Sequence, residues 1–221
     1  LQSEFGVESL HKTYTLIREN FAEEFPQLCG YKQFLRRLHR LNGVVRQLFR
    51  QSASFFSSEV FLLDAKPIPV CQPARHRRVR LLREDGAYFG KTSKGWFFGF
   101  KLHALMTVDK KVCQLILTPG NYADRTVAEA LTEFLNGCVA IGDLAYRGEN
   151  LQNQVWEENG CLLITKQDAK QRGYRLPPIR QRIEAGFSMM WHHFIDRIFS
   201  RSWLGLWNTL LLKVLYFNLF R

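Results

Sequence analysis

The sequence predicts an α/β fold, a mixed sheet of five strands flanked by helices, preceded by a helical N-terminal region. Three observations predict it. Residues 8–50 repeat apolar side chains at helical spacing. Three strand-like runs follow, two of them joined as a hairpin, which suits an antiparallel meander. Beyond residue 120 short apolar runs alternate with helical patterns, and such alternation needs crossovers and parallel strands. A chain of 221 residues, 46% apolar, can bury a substantial core as one large domain or one domain with an appendage. We divide it into a helical region, 1–55, and an α/β domain with a C-terminal helix, 56–221.

The elements follow in order. Leu10, Tyr14, Ile17 and Phe21 mark a first helix, and Pro26 and Gly30 break the pattern. A second pattern runs through "YKQFLRRLHRLNGVVRQLFR", with Leu35, Leu38, Val45 and Leu48 on one face and Arg36, Arg37, Arg40 and Arg46 outward. This helix pair reads either as a DNA-binding helical unit or as a packing appendage, and no recognition signature decides between them.

"VFLLDAKPIPV", residues 60–70, reads as a strand ended by Pro67 and Pro69. The basic stretch "QPARHRRVRLLREDGAYFGKTSKG" reads as a loop. "WFFGFKLHALMTV" and "VCQLILTPG" read as a hairpin around Asp109, Lys110 and Lys111. Trp96, Phe97, Phe98 and Phe100 read as core, and Lys101 and His103 alternate on the same strand. "DRTVAEALTEFL" reads as a helix with Asp124 as N-cap. "CVAIGD" is a buried strand, and "RGENLQNQVWEEN" a helix stopped at Gly160. "CLLITK" is the last strand. The basic loop "QDAKQRGYRLPPIR" then leads into a long helix from about Ile179.

The net charge is +11, and residues 61–120 hold 11 Lys and Arg against 4 Asp and Glu. A local basic excess of this kind suits a polyanionic partner. The five cysteines include no C-x-x-C pair and no zinc spacing, which fits a reducing, cytoplasmic setting. "WLGLWNTLLLKVLYFNLF" is interrupted by Asn208, Lys213 and Asn218 and reads as a buried or amphipathic helix rather than a membrane span. No secretory signal pattern opens the sequence, and its start at Leu1 without Met is consistent with a preceding segment.

Two strands carry a carboxylate where an apolar run stops: Asp64 in "VFLLDAK" and Asp143 in "VAIGDLAYRG". Taken singly, each suits a turn or a cap. If the two strands are parallel neighbours, their charges come close together and need a proton or a cation. A hard divalent cation such as Mg²⁺ suits carboxylate donors. A third acid, Glu184 in "RQRIEAGFSMMW", borders an apolar helix face with Ile183, Phe187 and Met190; a salt bridge to Arg180, at i−4, is its other reading.

These residues and their flanks resemble a family. "LLDAKPIPV", "GWFFGFKLHALMTVDKKVCQLILTPGNYADRTVAEAL", "AIGDLAYRG" and "RQRIEAGFS" are similar to the DDE transposases of bacterial insertion sequences, from residue 60 to about 190. The resemblance implies a ribonuclease H-like fold, shared with retroviral integrases. It implies Asp64, Asp143 and Glu184 as a catalytic triad holding two Mg²⁺ ions, with Mn²⁺ as a substitute. It implies double-stranded DNA partners, transposon ends and target, and a homodimer assembled on them. Relatives often carry Lys-Gly-Tyr after the second Asp, where this chain has Leu144-Ala145-Tyr146. Pro177 and Trp191 stand where many relatives have a Tyr and a Lys. Two basic groups become DNA-contact candidates: Arg75, Arg77, Arg78 and Arg80, and Lys166, Lys170, Arg172, Arg175, Arg180 and Arg182. Two other readings stay open, a related nuclease without strand transfer and a shortened, non-catalytic DNA-binding inhibitor of transposition.

Overall fold

A computed structural model describes residues 4–7, 9–171, 185–191, 195 and 198–220, with the backbone alone for Lys166 and Ala169. The chain forms two compact units, Ala53–Ser188 and Leu1–Ser52 with Met189–Arg221.

The larger unit is built on a six-stranded mixed sheet. Its strands are β1 (Val60–Cys71), β2 (Tyr88–Thr92), β3 (Gly95–Thr107), β4 (Val112–Pro119), β5 (Val139–Gly142) and β6 (Leu162–Thr165). The order is β2-β3-β1-β5-β6, and β4 also pairs with β3. β1, β3 and β4 form the antiparallel meander, while β5 joins β1, and β6 joins β5, in parallel. The sixth strand, β2, lies in the stretch that reads as a loop, and it shares the far edge of β3 end to end with β4. Gly90 in β2 hides the strand signal. The ring of Phe97 packs so closely over Gly90 that an added Cβ would meet it at 2.4 Å.

β1 does not stop at its prolines. It continues to Cys71, pairing Pro67 with Lys101 and Pro69 with Gly99. The two prolines are two residues apart, so their nitrogens face the same edge of the strand. β5 covers that edge only from Val60 to Leu62, so neither proline removes a ladder hydrogen bond.

One sheet face packs against α4 (Ala128–Thr132) and α5 (Glu149–Asn159). Phe61, Leu63, Leu105, Ala140 and Leu163 meet Leu131, Leu135, Leu151 and Val155 there in one buried cluster. Burying each such large side chain contributes roughly 1.5–3 kcal/mol. Gly160 ends α5 with φ +61°, the left-handed turn that a Cβ disfavours. The short α6 (Lys166–Gln171) follows β6 directly. On the other face Leu62, Leu102 and Met106 are buried. Residues 185–190 are helical, and an added Cβ at Gly186 would meet Met106 Sδ at 3.2 Å.

The smaller unit contains α1 (Leu10–Asn20), α2 (Tyr31–Arg40), α3 (Asn42–Ser54, entering at its end the larger unit) and α7 (Trp203–Phe220). Ser9 caps α1 by accepting from Lys12 N–H at 3.2 Å. Tyr14 packs against Tyr31 and Phe34 and donates its hydroxyl to Cys29 O. The second helical pattern divides at Leu41. The break resets the phase, so Val45 and Phe49 are buried and Leu48 is exposed. α7 buries Leu206, Leu210, Val214 and Phe217, and its interrupting polar residues Asn208, Lys213 and Asn218 are buried as well. Asn208 donates to Leu38 O at 3.2 Å and accepts from Asn42 Nδ2. Among the described residues no helix is long and apolar enough to cross a membrane.

Candidate functional site

The parallel register of β1 and β5 decides where the carboxylates of Asp64 and Asp143 fall. Leu62 pairs with Ile141. Two residues beyond this pair come Asp64, still within β1, and Asp143, the first residue past β5. The apolar runs before them fix both strands in the core, so each carboxylate sits on a rigid support.

Local hydrogen bonds hold each group. Asp64 Oδ1 accepts from the Ala65 N–H at 2.8 Å, and Asp64 Oδ2 lies 3.1 Å from Lys66 Nζ. Asp143 leaves the sheet as the N-cap of a short 3-10 turn, Leu144–Tyr146, and its Oδ1 accepts from Ala145 N–H at 2.9 Å. Asp143 is exposed and Asp64 half-buried. Burial pushes the Asp64 carboxyl above its ordinary range. Lys66 and the Ala65 N–H oppose this, and the Asp143 charge adds to it. Two hard oxygen donors whose charges repel fit a small divalent cation. Lys66 is the cation that Asp64 meets now. Glu184, the third acid that the resemblance implies, lies outside the described residues. Among the described residues no group of three or more metal-ligating side chains forms.

A second polar cluster occupies the opposite face of the sheet from Asp64. Asp64 pairs with Ala104 and shares its face, so Lys101 and His103 point to the other side. Lys101 Nζ binds Asp124 Oδ1 at 2.9 Å and Tyr122 O at 2.8 Å. Asp124 therefore does not cap a helix with its side chain; the segment begins as a 3-10 turn with Ala123 at the N-cap, and the carboxylate pairs with Lys101 instead. His103 is fully buried, its Nε2 is 2.8 Å from Thr118 Oγ1, and its Nδ1 is 3.9 Å from Asp124 Oδ1. Burial lowers the imidazole to about 4, with Asp124 opposing and Lys101 assisting.

Tyr146 is 1% exposed, and its hydroxyl has no hydrogen-bond partner among the described residues. Its ring lies under Gly142, where an added Cβ would come within 2.6 Å. Burial holds the phenol well above its ordinary value, and the charges of Asp124, Asp143 and Asp64 add to this. In the sequence Tyr146 stands out only as the Tyr of Leu144-Ala145-Tyr146, three residues after Asp143.

The basic candidates separate. Arg75, Arg77, Arg78 and Arg80 are exposed on the loop between β1 and β2. The loop is anchored by His76, which packs edge-on against Phe89 at 4.5 Å, and by Arg83, whose guanidinium lies 5.6 Å from the Phe98 ring centre. Lys170 is exposed on α6, and Lys166 begins that helix. Arg172, Arg175, Arg180 and Arg182 lie outside the described residues. Phe97, Phe98 and Phe100 are core, as their sequence suggests, but Trp96 is 62% exposed. It stands beyond the β1–β3 ladder and pairs only with Lys91 of β2.

A family model described as a transposase DDE domain matches residues 56–179. The match contains Asp64 and Asp143 and ends before Glu184. No curated protein and no solved structure matches the chain.

Proposed function

We propose, since this chain belongs to the transposase DDE domain family, that it cleaves phosphodiester bonds at insertion-sequence ends and joins the 3′-hydroxyl ends to target DNA. The observation that carries this reading is the placement of Asp64 within β1 and Asp143 just past β5, each two residues beyond the Leu62–Ile141 pair.

In this proposal Asp64, Asp143 and Glu184 hold two Mg²⁺ ions. When bound, the ions supply Lewis-acid activation of the attacking oxygen and charge stabilisation at the leaving oxygen. Ala65 N–H and Ala145 N–H fix one oxygen of each Asp and so orient the carboxylates. Arg75, Arg77, Arg78 and Arg80, with Lys166, Lys170, Arg172, Arg175, Arg180 and Arg182, neutralise DNA phosphates. Two copies of the chain act together on a pair of transposon ends.

Nicking of a duplex carrying the element's own terminal repeat, with Mg²⁺ or Mn²⁺, tests the reading. Activity in the native chain and its loss in Asp64→Asn are expected. Nicking that survives Asp64→Asn would reject it. A pre-cut end with a free 3′-hydroxyl separates strand transfer from hydrolysis, because only a transposase gives joined product.

A further inference from the structure

Trp96 is one of several exposed aromatics of the larger unit, with Phe55, Tyr88 and Trp156, and it stands on a strand whose other aromatics are core. It is 62% exposed, while its strand neighbours Phe97, Phe98 and Phe100 are at most 6% exposed. An indole left in water forgoes its burial energy, so a core role does not account for it.

Its surroundings are cationic. β2 and β3 form a hairpin that pairs Lys91 with Trp96, and Lys91 Nζ lies 5.7 Å from the Trp96 ring centre. Lys94 is exposed in the connecting turn. The same face continues into the basic loop, because Phe89 and Phe98, paired with each other, carry His76 and Arg83. Residues 73–96 hold seven Lys and Arg against two acids. This face also holds Asp64, since Trp96 and Ala104 are eight residues apart on one strand and Ala104 pairs with Asp64. At about 3.3 Å per residue, the indole stands roughly 25 Å from the candidate carboxylates. That is about seven nucleotides at the roughly 3.4 Å rise of a stacked strand.

We propose that the β2–β3 hairpin tip is a stacking platform for an unpaired base of a DNA strand, with Trp96 as the platform. Lys91, Lys94 and the loop arginines follow the phosphates on either side. A base inside a duplex has neighbours on both faces and cannot offer one to an indole. An unpaired base can, and aromatic stacking beside a basic track is how single strands are held without sequence preference. The proposal rests on the DNA-processing reading and adds to it a contact that selects unpaired strand near the cut.

The test is fluorescence anisotropy on the full chain with a chelator present, using labelled oligothymidylate and a duplex of equal length. Trp96→Ala should weaken single-strand binding about tenfold, the scale of one lost base–aromatic stack, and change duplex binding less than about twofold. Trp96→Phe should retain most single-strand affinity. Equal losses on both DNAs, or no loss on the single strand, would overturn the proposal. Ultraviolet cross-linking of an iodouracil oligonucleotide to the unmodified chain gives a readout free of folding effects. Trypsin cuts after Lys94 and Lys101, and the adduct should lie on the peptide Gly95–Lys101; an adduct found only elsewhere would refute the platform. No metal is present in either assay, so failure of the catalytic reading leaves both results standing.

Discussion

Lys66 Nζ lies 3.1 Å from Asp64 Oδ2, so the carboxylate set into β1 already meets a cation. Lys66 lowers the Asp64 carboxyl against the larger effect of burial. Lys66→Met removes that opposition and raises the carboxyl further. The ionised form then appears only at higher pH. The acid limb of the pH–nicking profile should move upward relative to the native chain. An unmoved acid limb would show that Asp64 ionisation does not control the reaction.

Asp143→Asn tests the second carboxylate without breaking its turn. Asn caps as well as Asp, so the bond from Ala145 N–H survives. Stability should change by less than about 0.5 kcal/mol, the range of surface substitutions. Nicking should fall by at least about a hundredfold, the scale of one lost transition-state electrostatic contact. Mn²⁺ affinity by titration calorimetry should fall with it. Unchanged Mn²⁺ affinity would remove Asp143 from the ligand set.

His103 gives the fold a pH dependence. Its folded value is about 4, below the ordinary 6.5, so the unfolded chain binds the proton more readily. Its contribution to stability is therefore present above pH 6.5 and is lost as pH falls through about 4. The lowering corresponds to roughly 3 kcal/mol across that window. Urea unfolding at several pH values should show this loss in the native chain and a smaller one in His103→Gln. Parallel profiles would assign the acid sensitivity elsewhere.

Tyr146 separates packing from polarity. Its ring is buried under Gly142, but its hydroxyl is unpartnered among the described residues. Tyr146→Phe removes only the hydroxyl and should leave stability unchanged or raise it by about 1 kcal/mol. Tyr146→Ala empties the ring's space and should cost about 3–5 kcal/mol. Denaturant midpoints measure both. A large loss in Tyr146→Phe would reveal a hydrogen bond made by the hydroxyl.

The basic loop should act through phosphate contacts. Each contact contributes about −0.9 to the slope of log affinity against log salt. Arg77→Ala combined with Arg78→Ala should make the slope for duplex DNA shallower by about 2, with little dependence on DNA sequence. An unchanged slope would place the duplex elsewhere.

Several features were legible in the sequence because they are local. Short continuous apolar runs gave the strands around Asp64 and Asp143, and a glycine stop gave the end of α5 at Gly160. The hairpin at Asp109–Lys111 came from its turn residues, and the two carboxylates came from apolar runs that end in a charge. Other features depend on pairings between distant residues. Parallel pairing of β1 with β5 brings Asp64 near enough to Asp143 for their charges to act on each other, and the open edge of β1 beyond Leu62 lets the strand pass through Pro67 and Pro69. Lys101, 23 residues before Asp124, draws that carboxylate away from the capping role its neighbours suggest. Trp96 reads as core beside three buried phenylalanines, yet it is exposed because the β1–β3 ladder ends before it. The sequence by itself determined which segments are strands and helices and which residues carry charge. Tertiary structure decided which charges meet and that Trp96 stays in water, because those outcomes depend on register and on edges that no local pattern encodes.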